Sequence, residues 1–194
     1  ALKSNTTGII NVAIGHAALQ NNTIDTENIA VGGNCLTTNT TGVDNTAVGY
    51  VAMDVNTIGF ANTAVGSGAM GANTTGNYNV AVGRLALYTN TIGAENVAVG
   101  MNALQDNTTG VRSVAVGKDA MADNTIGRWN VAMGYEALRK NTTADRNVAV
   151  GHQALRMNTI GQYNTALGYA AMYTNTTGNY NTAVGYLALN SNTI

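Results

Sequence analysis

Asn96-Val-Ala-Val-Gly100-Met-Asn-Ala-Leu104-Gln-Asp-Asn107-Thr-Thr-Gly110-Val-Arg112 is one copy of a unit that recurs along the chain without insertion or deletion. Asn11, Asn28, Asn45, Asn62, Asn79, Asn96, Asn130, Asn147, Asn164 and Asn181 stand on one 17-residue ladder, with Ser113 on the remaining rung. Numbering the unit from this Asn, it reads Asn, Val or Thr, Ala, Val, Gly, any, any, Ala, Leu or Met, any, any, Asn, Thr, Thr or Ile, Gly, any, any. Ten units fill residues 11–180, with residues 1–10 and 181–194 matching the end and the start of further units. Internal repetition of this kind points to a stacked-repeat architecture. Both ends fall inside a unit that keeps the consensus, so the chain reads as one continuous array over 1–194, cut from a longer one.

Positions 2 and 4 are β-branched or aliphatic, as in Val12 and Ile14 or Thr46 and Val48, between Asn, Ala and Gly at positions 1, 3 and 5. This alternation is that of a short strand. The stretch from Gly to the next Asn is too short for a stable helix, and Gly and Asn recurring every eight to ten residues mark corners. There is no proline in the 194 residues, which suits a backbone hydrogen-bonded along most of its length. The expected fold is all-β: a parallel β-solenoid of 17-residue repeats.

Composition excludes several classes. Charged residues make up 10% of the chain and the formal net charge is -1, so neither a charged disordered tail nor a basic nucleic-acid binder is indicated. No apolar run approaches a membrane span, and the single Cys35 excludes an internal disulfide framework.

The unit divides into scaffold and surface. Ala occupies position 3 in every unit (Ala47, Ala64 and Ala81 among them), and Gly occupies position 5 (Gly49, Gly66, Gly83). Asn-Thr fills positions 12 and 13 from Asn5-Thr6 to Asn192-Thr193, including Asn39, Asn56, Asn73 and Asn90. Of the 19 charged residues, all but Asp25 lie at positions 6, 7, 10, 11, 16 and 17, the solvated set. Positions 2, 4 and 9, with 14 in addition, are expected to supply the core. The invariant Gly implies positive φ or close backbone approach, and the invariant Asn a stacked amide ladder. The Ala stripe admits two readings, close packing inside the coil or contact between chains.

Position 14 alternates without a break: Thr7, Ile24, Thr41, Ile58, Thr75, Ile92, Thr109, Ile126, Thr143, Ile160, Thr177, Ile194. Two geometries accommodate this. A 34-residue coil would place the Thr and Ile ladders on opposite sides, giving a rod of roughly 27 Å at about 4.8 Å per strand. A 17-residue coil would give roughly 55 Å, with alternate layers meeting a partner differently.

The Asn-Thr-Ala-Val-Gly-Tyr and Ala-Leu-x-x-Asn-Thr-Thr-Gly pattern resembles the repeats of bacteriophage tail fibres and of bacterial surface proteins of that type. Asn11-Val-Ala-Ile-Gly15 and Ser113-Val-Ala-Val-Gly117 are also similar to the head repeat of trimeric autotransporter adhesins, whose unit is shorter. The resemblance implies a left-handed parallel β-roll, association of three chains, an extracellular attachment role and no catalytic residues.

Motifs for chemistry are weak. Gly66-Ser-Gly-Ala-Met-Gly71 matches a dinucleotide fingerprint in letters, but lies inside an ordinary unit rather than a βαβ context. His16 and His152 share position 6 eight units apart, too far to share a metal. Cys35 replaces the usual Ala of position 8 and reads as a small buried thiol. Asp106, Asp119 and Asp123 crowd about one unit and read as a solvated face rather than a cation site. Asn-Thr-Thr sequons begin at Asn5, Asn39, Asn73, Asn107, Asn141 and Asn175, but their Asn persists where Ile removes the sequon. Tyr50, Tyr135, Tyr169 and Tyr186 at position 6, with Tyr78, Trp129, Tyr163 and Tyr180 at position 17, are the candidate recognition residues. They would stack on sugars or anchor a partner, or pack ring upon ring and stiffen the rod.

The functional expectation is a non-enzymatic extracellular fibre segment, a stiff spacer and adhesion or display surface without cofactors. A homo-oligomer, with a trimer favoured, or an end-to-end fibre is expected, with a surface carbohydrate or protein receptor and no nucleic-acid partner. The alternative is an ice-binding solenoid using the position-13 Thr ladder.

Overall fold

The computed structural model describes residues 1–192; Thr193 and Ile194, the last members of their columns, lie outside the described residues. Eleven three-residue strands form one parallel sheet in sequence order: β1 (Val12–Ile14), β2 (Ile29–Val31), β3 (Thr46–Val48), β4 (Thr63–Val65), β5 (Val80–Val82), β6 (Val97–Val99), β7 (Val114–Val116), β8 (Val131–Met133), β9 (Val148–Val150), β10 (Thr165–Leu167) and β11 (Thr182–Val184). Each strand pairs with the next in a register of one repeat, Val97 with Val114 and Ala98 with Ala115. One coil is therefore a single repeat, and the coil of two repeats is excluded. Every residue lies directly over its counterpart in the next repeat, so each unit position becomes a column along the rod.

Turns carry the chain round between strands. The N–H of position 8 donates to the carbonyl of position 5 (Ala103 to Gly100, 3.3 Å), and that of position 12 to position 9 (Asn107 to Leu104, 3.2 Å). Positions 7, 9 and 17 are left-handed with side chains attached, as at Asn102 (φ 57), Leu104 (φ 51) and Arg112 (φ 55). At position 5 the φ is larger still, 132 at Gly100, and a Cβ there would lie 2.5 Å from the carbonyl oxygen of Gly117 in the next coil. That approach accounts for the invariant Gly.

The interior differs from the expected one. The position-3 Ala side chains point inward and are fully buried from Ala30 to Ala166, including Ala47, Ala64 and Ala81. They meet the position-8 Ala and position-9 Leu or Met columns, also fully buried from Ala18 and Leu19 to Ala171 and Met172. Positions 2 and 4 face outward: Val65 is 36% exposed and Leu167 47%. The assignment of positions 2 and 4 to the core is thus corrected, and of the two readings of the Ala stripe the structure selects packing inside the coil over contact between chains. Position 14 is also outside the core, with Ile92 55% exposed. So narrow a coil leaves room inside its strand for methyl groups only, and bulk goes outward.

Two buried amide ladders flank this narrow apolar core. At position 12 each Asn Nδ2 donates to the Asn Oδ1 of the preceding coil, 2.8 Å for Asn56 to Asn39, Asn73 to Asn56 and Asn90 to Asn73. At position 1 the backbone N–H donates to the preceding side-chain oxygen, as from Asn79 to Asn62 (2.9 Å). Ser113 keeps this rung, its Oγ accepting from the Asn130 N–H at 3.2 Å. Both ladders converge on position 15, where the Gly42 carbonyl accepts from Asn28 and Asn39, each at 2.8 Å. Buried amides of this kind are tolerated because they are bonded.

Candidate functional site

With interior and ladders assigned, the candidate functional site is the outer surface, a set of parallel columns. Positions 2 and 4 form a strip along the whole sheet that carries no charged residue. Its side chains are Val, Ile, Leu, Met and Thr, and all are exposed or half-buried. Sequence reasoning missed this strip. The usable signal was that position 3 is always Ala while its neighbours vary, as expected of a confined interior beside a permissive exterior.

The position-6 aromatics form a stacked column. Tyr135 and His152 have ring centroids 5.0 Å apart, His152 and Tyr169 5.1 Å, and Tyr169 and Tyr186 5.2 Å. Lys118 extends it from below, its ammonium 5.4 Å from the Tyr135 centroid. Position 17 forms a second column in which Arg146 lies over both Trp129 (4.5 Å) and Tyr163 (5.3 Å), and Tyr163 stacks on Tyr180 at 4.8 Å. Tyr78 takes the edge of Phe60 at 5.1 Å, and Tyr50 lies exposed at position 6 beyond the stacked set. The structure therefore gathers Tyr135, Tyr169 and Tyr186 in one group and Trp129, Tyr163 and Tyr180 in another. The inner rings of each stack have their faces taken up by neighbours, whereas Tyr180 and Tyr186 have one stacked neighbour each and are 77% and 74% exposed. Neighbouring charges pair along the columns too, Arg112 with Glu95 at 2.9 Å and Lys140 with Asp123 at 2.7 Å.

A knot of polar side chains on the same surface was not foreseen. Glu136 is nearly buried and held by Arg156 (2.6 Å), Arg139 (2.5 Å) and Gln153 (2.8 Å). Burial opposes its ionisation, but the bonds from Arg156 and Gln153 and the two guanidinium charges outweigh it and bring the carboxyl down to about 2. The arrangement binds coil to coil and leaves the carboxylate no free face.

The remaining candidates resolve individually. Cys35 is fully buried, donates to the Ala47 carbonyl at 3.1 Å, and is pushed up to about 12 by burial, so it is a filler of the Ala column. His16 and His152 are both exposed, in coils far apart. Asp119 pairs with Lys118 and accepts from Asn102, whereas Asp123 pairs with Lys140; with Asp106 they form no ligand cluster, and none is found among the described residues. Gly66-Ser-Gly-Ala-Met-Gly71 follows β4 but leads into a turn, not a helix. Its missing side chains leave a notch of about 250 Å³ lined by Val51, Asp54, Val55, Gly71, Ala72 and Tyr88. The sequon residues Asn39, Asn73, Asn107, Asn141 and Asn175 are fully buried in the position-12 ladder. The position-13 Thr hydroxyls mostly donate to the next coil's backbone, Thr74 to the Thr91 carbonyl at 2.9 Å. No helix among the described residues is long and apolar enough to cross a membrane.

Comparison of the chain with protein-family models, with curated proteins and with solved structures finds no match.

Proposed function

We propose that this chain is a segment of an extracellular structural fibre, a stiff spacer and display surface built from side-by-side copies of itself. The observation that carries this reading is the outward aliphatic strip of positions 2 and 4. Eleven strands at about 4.8 Å make it about 50 Å long and about 10 Å wide, on the order of 500 Å². A patch of that size lies toward the upper end of what a soluble monomer exposes, a range in which patches are often functional, and it is more than half of the roughly 800 Å² per partner of a stable interface. Lacking charge, it presents no barrier to packing against itself. A three-fold arrangement, with three strips turned inward, covers it on every copy. The role is non-enzymatic, and recognition of a surface carbohydrate or protein falls to the variable positions 6, 7, 10, 11, 16 and 17, where ring edges and charges are presented.

Sedimentation equilibrium tests the reading. A trimer of elongated particles is expected at micromolar concentration, with Val80→Lys, Val97→Lys and Val114→Lys together giving a folded monomer of unchanged circular dichroism. A wild-type chain that stays monomeric at 100 μM would sink the proposal, and thermal hysteresis in the same sample would turn the strip into an ice-binding face.

A further inference from the structure

We infer that the Thr/Ile column at position 14 is a second self-association surface, by which rods zip together laterally with a stagger of one coil. Because one coil is a single repeat, Ile24, Thr41, Ile58, Thr75, Ile92, Thr109, Ile126 and Thr143 lie in a single column rather than on opposite sides. The backbone bond of position 14 itself is the same for both residue types; the one difference is a second bond from the following Gly N–H to the same carbonyl, 3.3 Å at Gly59, Gly93 and Gly161 after Ile. The Ile92 N–H donates to the Thr108 carbonyl at 3.3 Å and the Thr109 N–H to the Thr125 carbonyl at 3.3 Å, the same bond in successive coils. The core does not distinguish them either, since Ile24, Ile58, Ile92, Ile126 and Ile160 are 48% to 58% exposed. Neither core packing nor the position-14 backbone bond requires the alternation, which points to a cause outside the chain.

The geometry points to a second copy as the occupant. Successive Ile side chains are about 9.6 Å apart, two strand spacings, and the hollow between them is floored by Thr. A sec-butyl group such as the Ile side chain fills such a hollow, and the matching set of protrusions at that spacing is the same column shifted by one coil. The column is thus complementary to itself: a parallel neighbour shifted by one coil sets Ile against Thr, and so does an antiparallel neighbour in every second register. Interdigitation of this kind is how stacked-strand surfaces form dry contacts. No charged residue belongs to the column or to position 13 beside it.

Cysteine cross-linking in the full chain tests this, with Cys35→Ala removing the native thiol. A parallel zip shifted by one coil brings Ile92 against Thr109, as does an antiparallel zip centred between these two coils, so mixing Ile92→Cys with Thr109→Cys is expected to give mixed disulfides under mild oxidation. Either variant alone is expected to give at least tenfold less, since like never faces like. Running the same mixture with the three strip lysines of the preceding section separates failure of the zip from failure of the strip interface. A second variant set, Thr41→Ile, Thr75→Ile, Thr109→Ile and Thr143→Ile, makes the column more apolar but fills its hollows. Lateral association at least tenfold weaker supports interdigitation. Equal cross-linking of like with like, absence of the mixed disulfide, or stronger association of the all-Ile column would overturn it.

Discussion

Asn90→Ala tests whether the amide ladders hold the coils together or merely occupy space. Asn90 is fully buried. Its Nδ2 donates to Asn73 Oδ1 at 2.8 Å and to the Gly93 carbonyl at 3.0 Å, and its Oδ1 accepts from Asn107 Nδ2 at 2.9 Å. Truncation removes all three bonds, at about 1 kcal/mol each. The neighbours are not equally stranded. The Gly93 carbonyl keeps Asn79 Nδ2 at 2.8 Å, and Asn107 Nδ2 keeps the Gly110 carbonyl at 3.1 Å. Asn73 Oδ1, in contrast, loses its donor in a buried site, which costs about 1 kcal/mol more. The expected loss is about 4 kcal/mol, read from urea unfolding at fixed protein concentration with an unchanged m-value. The exposed Asn21 serves as control, its Ala variant lying within about 0.5 kcal/mol of wild type. Hydrogen exchange would place the weakening in the coils on either side of residue 90. A loss below about 1.5 kcal/mol, no more than one ordinary hydrogen bond, would refute the reasoning, because the coils would then be held by backbone bonds and methyl packing alone.

Two further predictions concern backbone and charge. Gly100→Ala forces a Cβ into the 2.5 Å approach to the Gly117 carbonyl at φ 132 and is expected to cost about 3 kcal/mol or more; at Gly110, where φ is not left-handed, a Cβ also meets a carbonyl, that of Gly127 at 2.5 Å, and crowds Asn107 Oδ1, but Ala144 occupies the same unit position with its bond from Asn141 kept at 3.0 Å, so the backbone there yields and Gly110→Ala is expected to cost about 2 kcal/mol; a Gly110 loss equal to or larger than the Gly100 loss by urea unfolding would contradict the difference. Asp25 occupies the same unit position near the Asn ladder, where burial raises its carboxyl from 3.8 to about 6; the folded state favours the neutral form, so stability is full below about pH 4 and falls by about 1 to 2 kcal/mol as pH rises through about 6, and Asp25→Gly abolishes that fall.

The period, the parallel stacking and the scaffold columns were legible because each rests on strict recurrence: an Asn or Gly that returns once in every repeat can only be answering to its copy in the next coil. Coil length was not legible. Position 14 carries a genuine two-coil period, and only the strand register, Ala98 over Ala115, assigns that period to the outside of the rod. Nor was the inward strand face legible. A three-residue strand offers one side chain to one face and two to the other, and the general preference for burying the larger apolar groups favoured Val97 and Val99 over Ala98. Confinement reversed that preference: the interior is filled by the Leu or Met of position 9, leaving opposite it room for methyl groups alone.

Residue type follows backbone conformation as well as burial. Position 9 is left-handed, φ 51 at Leu104 and 50 at Met121, and it is always Leu or Met: a β-branched side chain is disfavoured in that region, and although exposed-side positions admit Val51 (φ 51) and Ile10 (φ 60), position 9 must also fill the core. Positions 2 and 4 are extended and carry Val, Ile and Thr where branching is favoured. Each full coil but one includes three left-handed residues bearing side chains, as at Asn102, Leu104 and Arg112, the exception having Gly68 at position 7; the conformation is unfavourable by roughly 1 kcal/mol or more apiece. That strain is offset only when the coil has neighbours to bond with, so a coil has little stability of its own and the rod behaves as a one-dimensional cooperative stack. The stabilising contacts run through positions 1, 3, 5, 8, 9, 12 and 13. The outer positions contribute comparatively little, which is why Tyr, Arg, Asp and Gly can replace one another at position 10 (Tyr88, Arg139, Asp54, Gly71) without altering the coil. A scaffold whose stability is decoupled from its surface residues is what the proposed display fibre requires, and the outer columns that do not use that freedom, the uncharged positions 2 and 4 and the alternating position 14, are the ones proposed for contact between copies.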